Sequence, residues 1–247
     1  MNPDAFLELF VDAADAVHTA VGKIPRADRR ARTDRPGQYA LDLVADEAVC
    51  SVLERAGVRI VSEESGVHEH TAAEITVVVD PVDGSTNCAR GISYWATSLC
   101  ALDGDGLLAA LVVNHPSGER TTAVRGGGAH REGERLRASS VTRLADAVID
   151  LGGWPLTIPR SKQTRVLGSL ALVLCDVAAG GIDGHIDFAS HVAPWDYLGG
   201  LLACREAGAV VRDVNGEELA TSALDARRQL VAGGTEALVA ELLTSVT

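Results

Sequence analysis

The run Ile75-Thr76-Val77-Val78-Val79 passes directly into Asp80-Pro81-Val82-Asp83-Gly84-Ser85-Thr86-Asn87. A β-branched run of this kind reads as a buried strand, and here it delivers two carboxylates, three residues apart, into a turn. Pro81 fixes φ and removes an amide donor between the acids, while Gly84 permits a backbone conformation that other residues resist. The chain itself therefore sets the geometry of the turn. Carboxylate and carbonyl oxygens are the ligands of hard cations such as Mg²⁺, and Ser85 adds a hydroxyl beside them. A solvated Asp/Pro/Gly turn is the competing reading. Acids elsewhere in the chain decide between the two.

With 247 residues, 47% of them hydrophobic, the chain can bury a full core as one large domain or two packed lobes. A net charge of −12 argues against a nucleic-acid partner, because phosphate backbones call for clustered Lys and Arg. A phosphate-bearing ligand would need help from cations. Cys50, Cys88, Cys100, Cys175 and Cys204 are odd in number and form no C-x-x-C pair, so they read as reduced core thiols of a cytoplasmic protein. The amphipathic first residues show no export signal. The longest apolar stretch, residues 98–113, is broken by Asp103-Gly104-Asp105-Gly106 into a hairpin, so no membrane contact is expected.

Helical spacing of Phe6, Leu9, Phe10, Ala13 and Val17 predicts a helix over residues 3–21, and Leu41, Val44, Ala48 and Val52 predict a second over 40–56. The polar stretch 23–38 between them reads as a flap or as plain solvated surface. Short strands follow near residues 59–62, 75–80, 96–101, 107–114 and 119–124, a mostly antiparallel sheet. From residue 146 the pattern alternates: a strand to 151, helix 170–179, strand 182–187, helix 194–207, strands 209–211 and 229–232, and a last helix to 243. This predicts an N-terminal α+β lobe over residues 1–142 and a C-terminal α/β lobe over 143–247.

Two further segments carry acids. Ser62-Glu63-Glu64-Ser65-Gly66 follows a strand end, and Pro194-Trp195-Asp196 opens a helix with Pro in its first turn and Leu198, Leu201 and Leu202 on its buried face. Each acid alone has a structural explanation, surface charge for the glutamates and capping for Asp196. One or both glutamates could reach the pocket of Asp80 and Asp83, and the three segments matter more together than any one alone.

In this order the three segments resemble the inositol monophosphatase family, a branch of the Mg²⁺-dependent, lithium-sensitive phosphatase superfamily. Val61-Ser62-Glu63-Glu64-Ser65 is similar to the family's G-E-E-S, residues 80–87 to its D-P-[IVL]-D-G-[ST]-T-N, and residues 194–200 to its W-D-x-A-A-G. Ala45-Asp46, Gly126-Gly127-Gly128-Ala129, Gly133, Ser139, Gly168-Ser169 and Ala207-Gly208-Ala209-Val210 add supporting matches. The resemblance implies a five-layer α-β-α-β-α sandwich, mixing α+β and α/β character, of the inositol monophosphatase and fructose-1,6-bisphosphatase type. It also implies a homodimer.

Carried onto this chain, the resemblance implies that Glu63, Asp80 and the Val82 carbonyl hold one Mg²⁺ and that Asp80, Asp83 and Asp196 hold a second. A third, weaker ion near Glu63 would make two to three per subunit. Ser85 would orient the attacking water with Asp46 as its acidic partner, and Glu63 would serve the same catalytic step. Asp83, Gly84, Ser85 and Thr86 would cradle the phosphate, and Gly168, Ser169 and Asp187 would contact the rest of the substrate. The physical logic stands independently: a phosphomonoester dianion repels an anionic nucleophile, and metals bridging both neutralise charge and orient in-line attack.

This sequence also departs from the family pattern. Cys88 replaces the usual Phe, Tyr197-Leu198-Gly199 replaces small residues, and the loop before Asp42 has no obvious match to the family's lysine near the third metal. Asp187 needs two extra residues before Asp196, and residues 154–166 leave too little room for the helix most members carry. His115, His130, His185 and His191 fit no metal spacing. The expected activity is hydrolysis of a small phosphorylated metabolite, inositol 1-phosphate or a similar polyol phosphate. Histidinol phosphate, fructose 1,6-bisphosphate and 3′-phosphoadenosine 5′-phosphate are alternatives. A non-catalytic regulatory protein on the same fold is the reading of another class, and the four acids Glu63, Asp80, Asp83 and Asp196 weigh against it.

Overall fold

A computed structural model describes residues 2–70, 73–189 and 191–246, and stacks them in five layers. The first is a helix pair, α1 (Pro3–Gly22) and α2 (Ala40–Leu53). The Asn2 side chain accepts from the Ala5 amide at 2.9 Å and Pro3 takes the first turn, which together start α1. Its buried stripe, Phe6, Phe10, Ala13, Val17 and Val21, lies on the sheet beneath. The buried face of α2 carries Leu41, Ala45, Val49 and Leu53, but also Asp42 and Asp46. A helix spends two carboxylates on its core side only where something binds them. The chain leaves α2 at Leu53 through a single 3-10 turn into Gly57, so the helix stops three residues before the predicted end.

The second layer is an eight-stranded sheet: β1 (Arg59–Ser62), β2 (Gly66–His68), β3 (Thr76–Asp83), β4 (Ala96–Asp103), β5 (Gly106–Asn114), β6 (Arg120–Val124), β7 (Gly128–Arg131) and β8 (Glu134–Arg135). Its order is β2-β1-β3-β4-β5-β6-β7-β8. Only β1 and β3 pair in parallel; the other neighbours are antiparallel. The strands that the pattern does not predict, β2, β7 and β8, are two to four residues long and built around Gly and charged residues, too short to show alternation. A six-residue helix, α3 (Ser85–Arg90), leaves the end of β3.

The third layer is α4 (Leu170–Ala178) with α5 (Pro194–Ala207). The fourth is a five-stranded sheet of β9 (Val148–Gly152), β10 (Gln163–Arg165), β11 (Gly184–Asp187), β12 (Val210–Asp213) and β13 (Leu230–Gly233), in the order β10-β9-β11-β13-β12. The last is α6 (Glu236–Thr244). Three apolar clusters cement the layers: α1 and α2 on one face of the large sheet, α4 and α5 on the other, and α6 against the small sheet. Residues 153–162 run irregularly before β10, with Trp154 and Leu156 exposed, where the sequence leaves no room for a helix. All five cysteines are buried and unpaired. Among the described residues, no helix is long and apolar enough to cross a membrane.

Candidate active site

β3 runs buried from Val77 to its end and emerges under the helix pair, where the ladder with β4 breaks register between Asp80 and Asp83. Pro81 supplies no amide to that ladder, and Asp80 Oδ1 accepts from the Val82 amide at 2.9 Å instead. The backbone then turns through Gly84 at φ 88° into α3. A side chain at Gly84 would be strained at that φ, and its Cβ would lie 3.0 Å from the Gly168 carbonyl and 3.3 Å from that of Tyr94. Asn87 ties the same turn to the segments ahead of β4 and α4, donating to the Tyr94 and Leu167 carbonyls at 2.7 and 2.8 Å.

Two more elements converge on this point. Glu63 follows the end of β1, and Asp196 is the third residue of α5, where its Oδ2 caps the helix by accepting from the Ala193 amide at 2.6 Å. One carboxylate oxygen from each of Glu63, Asp80 and Asp196 lies within 4.8 Å of the others. Burial pushes Glu63 up to about 8, with the charges of Asp196 and Glu64 adding to it. Burial and then Asp83 push Asp196 up to about 7, while Arg227 and His191 on its flank act the other way. Asp80 is held well above the usual carboxylate range by burial and by its three acidic neighbours. Carboxylates at this spacing repel one another unless protonated or bridged by a cation, and an all-oxygen donor set suits a hard divalent ion. The cluster can hold a metal.

Asp83 stands beside this trio rather than in it. Its Oδ2 accepts from Ser169 Oγ at 2.6 Å and from the Ala171 amide at 2.7 Å. Burial raises it to about 6 against hydrogen bonds from Ser169 and from the Ala171 and Leu170 amides. Ser169 thus gives its proton to an acid of the centre, and Gly168 packs on Asn87. Asp187, at the buried end of β11, accepts from the Ala189 amide through Oδ1 and from Gln229 through its main-chain carbonyl, both at 2.9 Å.

Ser85 Oγ donates to the Val82 carbonyl at 2.9 Å. The acid beside the Ser85 hydroxyl is Asp42, one helical turn before Asp46. Asp42 accepts from the Tyr39 amide at 2.8 Å through Oδ2, and among the described residues its buried Oδ1 has no hydrogen-bond partner. Burial raises it to about 6, and Tyr39 and Ser85 restrain the rise. Asp46 accepts from Ser62 Oγ at 2.5 Å and from Cys50 Sγ at 3.5 Å, so its carboxylate braces β1. Thr86 meets the Tyr39 hydroxyl at 3.3 Å. The sequence reading missed Asp42 because two acids four residues apart share one helix face, and the motif match settles on the later one.

The polar connection 23–38 is tethered to this rim. Gln38 and Arg35 both donate to Glu64, and the Arg32 guanidinium lies 3.5 Å over the Tyr39 ring. Of the four histidines set aside above, His115 and His185 are buried, and neither belongs to the acidic trio.

Comparison with known proteins agrees with this geometry. The profile described as the inositol monophosphatase family matches residues 12–247. The chain is 35% identical over 180 residues to the fructose-1,6-bisphosphatase/inositol-1-monophosphatase of Thermococcus kodakarensis, covering 72% of this chain and 70% of that protein. It is 35% identical over 243 residues to the Nus factor SuhB of Pasteurella multocida, with 87% of each chain covered. Among solved structures, an extragenic suppressor from Pyrococcus furiosus superposes with a TM-score of 0.85 at 27% identity, over 99% of both chains.

Proposed function

The chain belongs to the inositol monophosphatase family and is a phosphomonoester hydrolase, and we propose that it acts with Mg²⁺ on inositol 1-phosphate or a similar small polyol phosphate. The observation that carries the proposal is the trio Glu63, Asp80 and Asp196, three acids within 4.8 Å of one another, set beside the Ser85 turn. A purely regulatory role, the reading that the name of the Pasteurella relative raises, leaves these like charges without a use.

In this proposal Glu63, Asp80, the Val82 carbonyl, Asp83 and Asp196 hold two to three ions. Bound Mg²⁺ would offset the charge of the phosphate dianion, lower the pKa of a water and stabilise the departing alkoxide. Ser169 and the Ala171 amide fix the Asp83 carboxylate, and the Ala193 amide fixes that of Asp196. Ser85 orients the attacking water, with Asp42 positioning its hydroxyl; Asp46 supports Glu63 from behind through Ser62. Amides of Gly84, Ser85 and Thr86 at the head of α3 face the phosphate. Gly168 and Asp187 would line the alcohol side of the substrate. A homodimer belongs to the same proposal.

The test is phosphate release from a panel of polyol phosphates, histidinol phosphate, fructose 1,6-bisphosphate and 3′-phosphoadenosine 5′-phosphate, with Mg²⁺ and with EDTA. We expect turnover that needs the metal, a preference of about 100-fold in kcat/KM for a polyol monophosphate, and losses of about 10³ for Asp83→Asn and Asp196→Asn. Metal-independent turnover, or full activity in Asp83→Asn, would overturn the mechanism. A preference for fructose 1,6-bisphosphate would keep it and move the substrate.

A further inference from the structure

Although the chain carries a net charge of −12, residues 23–35 hold six basic residues against two acidic ones. Arg26, Arg29 and Arg30 of this segment, with Arg90 from the far end of α3, line a cavity of about 310 Å³ whose wall contains no acid. Arg26, Arg30 and Arg90 are exposed and, among the described residues, make no ion pair or side-chain hydrogen bond. Arg29 is held in place: its Nε donates to the Ile24 carbonyl at 3.2 Å and its Nη2 to that of Val21 at 3.1 Å, which leaves three of its five N–H donors. Gly91, at φ 74°, forms the floor, and a Cβ there would sit 3.6 Å from Arg26 Nη2.

A second cavity of about 300 Å³ shares Arg26, Arg29 and Gly91 with the first and continues to Ile92 and Trp95. Four guanidinium groups around one opening repel one another, whereas Arg125 is paired with Asp103 and Arg212 with Glu236. The unmatched partner is an anion, and the planar fork of arginine suits the oxygens of a phosphate. We propose that this paired cavity is an auxiliary binding site for a small phosphate-bearing anion, separate from the acidic centre. The six residues of α3 set Arg90 about 8 Å along the helix axis from Ser85. A ligand here therefore meets the opposite end of the helix from the catalytic turn. The inference does not depend on the catalytic reading.

Calorimetric titration of the full chain in EDTA tests it, because without metal the acidic trio repels phosphate and only the arginine cavity remains to bind it. Inorganic phosphate, pyrophosphate and glycerol phosphate serve as probes at constant ionic strength. We expect one site per chain, weakened about tenfold by Arg30→Gln and by Arg90→Gln, with melting temperatures unchanged and Asp83→Asn without effect. Tightest binding by pyrophosphate would identify a ligand with two phosphate groups; tightest binding by glycerol phosphate would identify an ester, and by phosphate the free ion. Absence of binding, equal binding in the arginine variants, or equal competition by chloride would overturn the site. So would arginine variants that change only self-association, which would make this face a contact between copies of the chain.

Discussion

The Ser85 hydroxyl has one proton and two acceptors near it. It donates to the Val82 carbonyl, while the buried Oδ1 of Asp42 stands without a partner. A buried oxygen left in that state costs about 1–3 kcal/mol, which the fold tolerates where the group has work to do. We expect Asp42→Asn to lower kcat about 10²-fold with KM little changed, since the amide no longer draws the Ser85 proton and the water loses its alignment. Asp46→Asn should instead cost stability, because Ser62 Oγ donates to it in a buried setting, and should leave kcat within about threefold. Steady-state kinetics and urea melts of the two variants separate these roles; the reverse order of effects would return the assignment to Asp46. At this scale the acids of the centre were readable as types. Strand ends and a helix start announced Glu63, Asp80, Asp83 and Asp196, but nothing in a linear pattern says which of two acids one turn apart faces the serine.

Elements carry the next level of constraint. β3 is legible because β-branched residues run unbroken into a Pro/Gly turn, and α5 because Pro194 marks its first position. What fixes the turn between β3 and α3 from behind was not legible, since it comes from β4 and β5. Thr97 Oγ1 donates to the Pro81 carbonyl at 2.8 Å, so toward His115 Nε2, 2.7 Å away, it can only accept. His115 therefore carries a proton on Nε2 and is stacked on Trp95 and His18. Burial, with help from the charges of His18 and Arg120, lowers its pKa from 6.5 to about 3. The unfolded chain then binds the extra proton first, so the stabilisation is complete above 6.5 and is lost as pH falls from there toward 3. By about pH 5 the loss is about 2 kcal/mol. His115→Gln, which keeps a donor but cannot titrate, should show a stability gap to the parent that narrows by about 2 kcal/mol between about pH 7.5 and about pH 5 in urea melts. A gap that stays constant would mean that His115 is protonated in the folded protein.

At the scale of the whole molecule, the centre exists because two layers meet at one point: Glu63 and Asp80 come from the large sheet, and Asp196 from the helix layer behind it. The layers were legible as a change from meandering strands to alternating strands and helices. Their distance of approach was not, because it depends on glycines that the sequence shows only as gaps in an apolar helix. Gly200 lets α5 lie directly on α4: a Cβ there would fall 2.4 Å from Leu174 Cβ and 3.2 Å from the Ala171 carbonyl, closer than any relaxation of a side chain can relieve. Gly199 does the same toward the sheet, where a Cβ would meet Val112 Cγ2 at 3.0 Å. Gly200→Ala must push the two helices apart, at a cost of about 3 kcal/mol for overpacking, or about 6–9 °C in Tm for a chain of this length. Because α4 begins one residue after Ser169 and α5 begins two before Asp196, the same displacement pulls at Asp83 and Asp196 together. We therefore expect Mg²⁺ to bind the variant about tenfold more weakly, while Gly22→Ala, where a Cβ meets nothing within 4 Å, raises Tm by about 1–3 °C and leaves metal affinity unchanged. If Gly200→Ala melted with the parent, the α4–α5 contact would not be what sets the spacing of the acids, and the two helices would have to be held by their separate sheets.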